Sequence, residues 1–174
     1  DATTPAGAQL RDVDALVTAE PDRPLVVQVA DCVPVLLAGR TAVGVAHAGR
    51  RGVAAGVVPA TLASLVELGE DADSVVAGIG PAIGGCCYEV PASLRAEVGA
   101  SLPAAIATTT WGTPSLDLRA GVRAQLQAAG VSEIRELEAC THCDDRWFSH
   151  RRDPTSGRQV GIAVRSSPQR EVAL

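Results

Sequence analysis

Residues 25–47 read LVVQVADCVPVLLAGRTAVGVAH. Leu25–Val29 and Val33–Ala38 are short apolar runs rich in branched side chains, and Thr41–His47 alternates small and branched residues. Runs of this length, bounded by Pro24 and Gly39, predict buried strands and not helices. Ala30-Asp31-Cys32 interrupts the first two runs, so an acid and a thiol are expected at a break or bulge inside sheet structure. Regular core positions rarely look like that, which makes the break the first place to look for chemistry.

Working outward, Gly52–Leu68 carries apolar residues at 53, 57, 58, 62, 65 and 66, a helical period, with Gly69 as its C-terminal stop. Pro59 in its middle predicts a kink or a later helix start. Ser74–Gly80 reads as a strand, and Pro91–Val98 as a short helix with Pro at its first position and Gly99 behind it. Ser115 is expected to cap a helix running to Ala129, with Gly130 ending it. Val131–Leu137 and Gln159–Arg165 read as the last strands, and residues 1–12 as a loose lead-in. Strands and helices do not alternate cleanly. The expected fold class is therefore α+β, mixed β-sheets flanked by helices in a single domain over residues 1–174.

Composition narrows the function classes. The chain is 47% hydrophobic, but only 2% aromatic, so Ala, Val, Leu and Ile must build the core. A formal net charge of -5 argues against a generic nucleic-acid or membrane binder. No apolar run is long enough to span a bilayer. All 15 basic residues are Arg, and no Lys, Asn or Met occurs. Five cysteines are an odd number without the spacing of a disulfide framework, so a reducing, cytoplasmic setting is expected.

Four segments stand out. Cys32 and His47 are separated by a strand, a turn and a second strand, which brings two residues side by side. A thiol beside an imidazole suits either a nucleophile–base pair or two of the three protein ligands of an open zinc site. The plain alternative is a small buried Cys and a core His. The sequence after His47, Ala48-Gly49-Arg50-Arg51-Gly52, favours a site, because small residues admit a ligand and Arg binds anions. Gly78–Glu89 is a Gly-rich loop that matches no phosphate-binding fingerprint. Cys140-Thr141-His142-Cys143 is a C-x-x-C whose only other Cys pair is the adjacent Cys86-Cys87, a poor second half for one ion. Cys140 and Cys143 are expected to be reduced and without metal, near Cys86 and Cys87 in a loop-rich patch. Phe148–Asp153 with Gly157-Arg158 lies in an Arg-rich stretch, either a solvated tail or an anion-binding rim.

Taken together and in this order, the segments resemble the YfiH-like laccase-domain family, also labelled polyphenol oxidase or purine nucleoside phosphorylase. The resemblance rests on Asp14-Ala15-Leu16-Val17-Thr18, Ala30 to Leu36, His47 to Gly52, Gly80 to Val90, Cys140-Thr141, and Phe148 to Asp153 with Gly157-Arg158. Each motif is weak alone; six in order are specific. Val29, Arg50 and His150 stand where the family usually has Thr, Trp and Tyr.

The resemblance implies zinc held by two His and one Cys, with Cys32 and His47 as two of these ligands. The third, in a Q-V-H-G segment upstream of the Asp14 motif, is not in this sequence. The chain is accordingly expected to lack the family's N-terminal segment, and to be weak or inactive by itself. The implied activity is phosphorolysis of adenosine, inosine and methylthioadenosine, with adenosine deamination. The partners are then a purine nucleoside and phosphate, with Asp31 orienting the site or moving a proton and Arg51 touching phosphate or substrate. An older label implies copper-dependent phenol oxidation. Multicopper chemistry needs many His ligands, whereas this sequence has His47, His142 and His150 alone. A truncated binding module without activity is the third possibility.

Overall fold

In a computed structural model, which describes residues 7–10 and 12–167, the expected α+β architecture is observed. Among the described residues there are nine strands: β1 (Ala15–Thr18), β2 (Leu25–Val29), β3 (Val33–Ala38), β4 (Val43–Ala48), β5 (Val76–Ile79), β6 (Ile106–Thr108), β7 (Pro114–Leu116), β8 (Glu133–Glu136) and β9 (Gln159–Ala163). The helices are α1 (Arg50–Ala54), α2 (Val57–Glu67), α3 (Ala92–Ser101) and α4 (Leu118–Ala128). Most of the lead-in expected over residues 1–12 lies outside the described residues.

The main sheet is mixed, in the order β1-β4-β3-β5-β8, with only the β5–β8 pair parallel. The two apolar runs at the start of the quoted stretch do not share it. Asp31 has a positive φ of 81°, which turns the chain after β2. β2 then pairs antiparallel with β9 as a separate ribbon over one face. The period of two in β3 and β4 divides the core accordingly. Val33, Val35 and Leu37 face the helices, in one cluster with Leu62 and Leu65 of α2 and Val122 and Leu126 of α4. Val43 and Val45 of β4 pack under the ribbon with Leu25, Val27 and Val29. His47, two residues beyond Val45, continues that face.

The β3–β4 turn is held by a buried carboxylate. Glu70 accepts the backbone N–H groups of Arg40, Thr41 and Ala42 at 2.8, 2.6 and 2.8 Å, and the Thr41 hydroxyl at 2.7 Å. Burial pushes this carboxyl up, but its hydrogen bonds outweigh that and hold it below the usual range.

The later helix start expected from Pro59 is observed, and two other helix boundaries differ from expectation. The Gly52–Leu68 pattern is two helices broken at Ala55-Gly56, so Pro59 falls in the first turn of α2, where its missing N–H loses no bond. Ser115 lies in β7, and the cap of α4 is Asp117, whose carboxylate accepts the Ala120 N–H at 3.0 Å. Ser115 instead donates to the Gly85 carbonyl at 2.6 Å. Gly99 does not end α3; the helix runs to Ser101. Among the described residues, no helix is long and apolar enough to cross a membrane.

Candidate active site

Strand register places the first candidate pair. β3 and β4 pair with Pro34 opposite His47 and Val33 opposite Ala48, so Cys32 lies opposite Gly49, diagonal to His47 and on the same face. A Cβ built on Gly49 would stand 3.1 Å from the Cys32 sulfur and 3.6 Å from His47 Nε2, so both side chains converge on the space that glycine leaves open. β1 and β4 pair with Ala15 opposite Ala46, which sets Asp14 beside His47. The Asp14 carboxylate lies 3.0 Å from His47 Nδ1, and its carbonyl accepts the His47 backbone N–H at 2.7 Å. The ring is therefore clamped at Nδ1, with Nε2 on the side of the thiol.

The hydrogen-bonding Cys32 thiol is the main reason that the His47 pKa is pushed up to about 9; partial burial opposes it and Asp14 adds to it. A carboxylate fixing one ring nitrogen while the other faces a thiol is the arrangement by which proteins orient a metal-binding His. The donor set, one thiol and one oriented imidazole, fits two positions of a zinc site. It fits a Cys–His nucleophile–base pair equally well.

A shallow cavity of about 370 Å³ opens here, lined by Asp14, His47, Gly49, Arg50, Arg51 and Tyr88 among others. Among the described residues, neither Arg50 nor Arg51 is engaged by a carboxylate, which leaves both guanidinium groups available to an anion. A larger open cavity of about 490 Å³ lies beside it, lined by Glu89, Trp111, His142 and Arg151 among others. His47 lines the smaller of the two, with Cys32 packed behind Gly49 of its wall. The two meet at Tyr88, over whose ring the Arg151 guanidinium sits at 5.0 Å.

Asp31 is placed differently from its neighbour Cys32. Its carboxylate accepts the Thr141 hydroxyl and the Arg151 backbone N–H, both at 2.6 Å, while its carbonyl accepts the Ile83 N–H at 3.0 Å. One residue thereby ties three loops to the start of β3. Each carboxylate oxygen accepts one of these donors.

The four remaining cysteines do come together, as expected, in a loop region. The expectation that they could not serve one ion is corrected. The sulfurs of Cys86, Cys87, Cys140 and Cys143 lie within 4.8 Å of one another and could hold a metal ion. Adjacent side chains diverge on an extended strand, but Cys86-Cys87 sits in a helical turn, where the Gly84 carbonyl accepts from both Cys87 N and Tyr88 N at 2.9 Å. The Arg-rich segment is largely structural: Arg152 donates to the carbonyls of Thr141 at 2.7 Å and Trp147 at 2.6 Å.

Comparison with known proteins decides the family. The model of the multi-copper polyphenol oxidoreductase laccase family matches residues 1–166. The chain belongs to this family. A purine nucleoside phosphorylase of Streptomyces coelicolor is 53% identical over 151 residues, 86% of this chain and 62% of the relative. Among solved structures, YlmD from Geobacillus stearothermophilus has a TM-score of 0.80 at 37% identity, covering 89% of this chain and 62% of that one. YfiH from Bacillus licheniformis has a TM-score of 0.79 at 34% identity, covering 88% and 61%. The chain thus spans about 62% of the length of these laccase-family relatives.

Of the expected site residues, the fold brings Cys32 and His47 together and sets Arg51 on the rim of their cavity. Asp14 was missed as a site residue. It heads the Asp14–Thr18 motif, and its carboxylate was the signal that could have been followed.

Proposed function

We propose that this laccase-family chain forms the reactive part of a zinc-dependent purine nucleoside phosphorylase acting on adenosine, inosine and methylthioadenosine. Adenosine deamination is a second reaction of the same site. The observation that carries the proposal is the convergence of Cys32 and the Asp14-oriented His47 on a cavity rimmed by Arg50 and Arg51. Cys32 and His47 would hold the ion, which supplies Lewis acidity when bound. Arg51, with Arg50 beside it, binds phosphate through its planar set of N–H donors. Tyr88 and the half-exposed Trp111 offer aromatic faces to the base. Asp14 keeps the His47 ring in one orientation, and Asp31 keeps the loops that form the cavity walls in place. Free thiols at both clusters suit a reducing cytoplasm.

The copper reading asks for a different arrangement. Of the three histidines, only His47 faces the Cys32 cavity; His142 lines the other one, and His150 lies against the Pro154 carbonyl at 3.3 Å. The single group of three or more metal-capable side chains among the described residues is made of cysteines. A histidine-rich multicopper centre has no counterpart in them.

The test is base release from adenosine and inosine by the full-length protein, with and without phosphate. Release should depend on phosphate. Cys32→Ala should abolish it with little change in melting temperature, since a small thiol replaced by Ala costs on the order of 1 kcal/mol. Arg51→Ala should mainly raise the KM for phosphate. A protein that leaves nucleosides intact but oxidises phenols with added copper overturns the proposal.

A further inference from the structure

The parallel pair β5–β8 delivers two loops to one end of the sheet. Past the strands the pairing continues: Leu137 N donates to Ile79 O at 3.0 Å, and Ala82 and Cys140 form an isolated parallel bridge. Each loop then makes the same kind of turn. Gly84 O accepts from Cys87 N and Tyr88 N, both at 2.9 Å; Cys140 O accepts from Cys143 N at 3.1 Å and Asp144 N at 3.0 Å. Two matched turns side by side aim four sulfurs at one point. We propose that Cys86, Cys87, Cys140 and Cys143 form a tetrahedral tetrathiolate zinc site, separate from the Cys32–His47 pair, that locks these two turns together.

The distances suit a single ion. Zinc–sulfur bonds of about 2.3 Å at tetrahedral angles place sulfurs about 3.8 Å apart. Cys86 and Cys143 are 3.8 Å apart, Cys87 and Cys143 are 3.1 Å apart, and all four sulfurs lie within 4.8 Å of one another. An iron–sulfur cluster would place its own irons and sulfides between the cysteines and needs them wider apart. Four soft thiols in this geometry select zinc among the common divalent ions.

A backbone donor and a buried cation stand beside the sulfurs. Gly84 N–H donates to the Cys140 sulfur at 3.2 Å. A Cβ built on Gly84 would meet Cys86 Sγ at 3.1 Å and Arg119 Nη2 at 3.5 Å, so a guanidinium stands against the cluster. Arg119 is largely buried, and its Nε and Nη1 make no hydrogen bond; Nη1 has only a 3.8 Å ion pair with Glu136. That cation has charge to offer to something else. Binding releases four thiol protons to solvent and leaves a complex of net charge minus two, which Arg119 partly offsets.

The consequence is positional. Tyr88 follows Cys87 directly and lines the His47 cavity, while Cys87 and His142 line the neighbouring one. An ion joining the two turns fixes these cavity walls without touching the Cys32–His47 pair.

The experiment is zinc analysis of the full chain carrying Cys32→Ala and His47→Ala, purified under reducing conditions and dialysed against a weak chelator. One equivalent of zinc should remain, and adding Cys143→Ser should remove it. Cobalt replacing zinc in the double variant gives a second readout that needs no cluster substitution. Intense sulfur-to-cobalt charge-transfer bands with tetrahedral ligand-field bands should appear. A double variant with no zinc and no such bands overturns the proposal, whether its cysteines titrate as four free thiols or Cys87 and Cys143 are found as a disulfide. These readouts do not depend on nucleoside turnover, so failure of the phosphorylase reading leaves this one standing.

Discussion

The Cys32–His47 pair and the four-cysteine cluster both gather sulfur ligands, but different parts of the fold hold them. Cys32, His47 and Asp14 stand at the ends of three adjacent strands, and the ladder pairs Asp14 with His47 and Cys32 with Gly49 by register alone. The four thiols stand on two turns that no regular ladder spans; a bridge at Ala82–Cys140 and the bonds of Asp31 to Thr141 and Ile83 draw the turns together. A site set by register inherits the stability of the sheet. A site set by turns depends on local tethers, which a bound ion can replace.

The largest expected effect tests the first half of that contrast. Glu70→Ala strips four bonds from the β3–β4 turn and leaves the buried Ala42 N–H unpaired. Urea denaturation should show a loss on the order of 3–5 kcal/mol. The folded fraction should keep its Cys32–His47 geometry, because the strands past the turn still pair. The same carboxyl sets an acid limit. Its folded pKa is depressed, so its contribution is present above the unfolded value of about 4.3 and is lost as pH falls through the folded value. In Glu70→Gln, that part of the acid denaturation profile should flatten. An unchanged profile would show that the turn does not rely on the ionised carboxylate.

A smaller effect separates the two sulfur sites. Asp14→Asn keeps the backbone bond to His47 but weakens the carboxylate clamp on its ring. Zinc affinity at Cys32–His47, followed by competition with a chromophoric chelator, should fall about 10–100-fold. Zinc at the four cysteines should not change. Equal losses at both sites would mean that they are one energetic unit and would break the comparison.

The smallest effect concerns the tether between the regions. Asp31 occupies left-handed backbone space and also holds Thr141 and Arg151. Asp31→Gly loses the side-chain bonds alone, whereas Asp31→Ala loses them and adds backbone strain. The alanine variant should be about 1 kcal/mol less stable than the glycine variant by thermal or urea unfolding. Equal stabilities would show that the φ of 81° stores nothing.

What could be read in the sequence follows the same division. The alternation in Leu25–His47 carried the strands, and the spacing of Cys32 and His47 carried their convergence, because register is a local consequence of a hairpin. That β2 leaves the sheet for β9 was hidden, since it depends on the single φ of Asp31 and on a partner 130 residues away in the β2–β9 register, where Val29 pairs with Gln159. Ser115 was taken for a helix cap because Ser caps well, but two residues later Asp117 does so with a stronger acceptor. Adjacent Cys86-Cys87 looked unfit for one ion when read as extended chain. Only the turn at Gly84 reverses that, and its partner turn lies more than fifty residues on, with Gly84 and Cys140 56 positions apart.

Gly49 and Gly84 have no side chain to offer to either site, yet a sulfur stands 3.1 Å from the position of the missing Cβ at each of them. An added methyl group would need the Cys32 sulfur in one place and the Cys86 sulfur in the other to give by a few tenths of an ångström. A survey of tolerated substitutions would therefore find at each a crowded position that bears no functional group yet marks the edge of a sulfur site. Gly49→Ala and Gly84→Ala would then each press on one site while leaving every ligand in the chain.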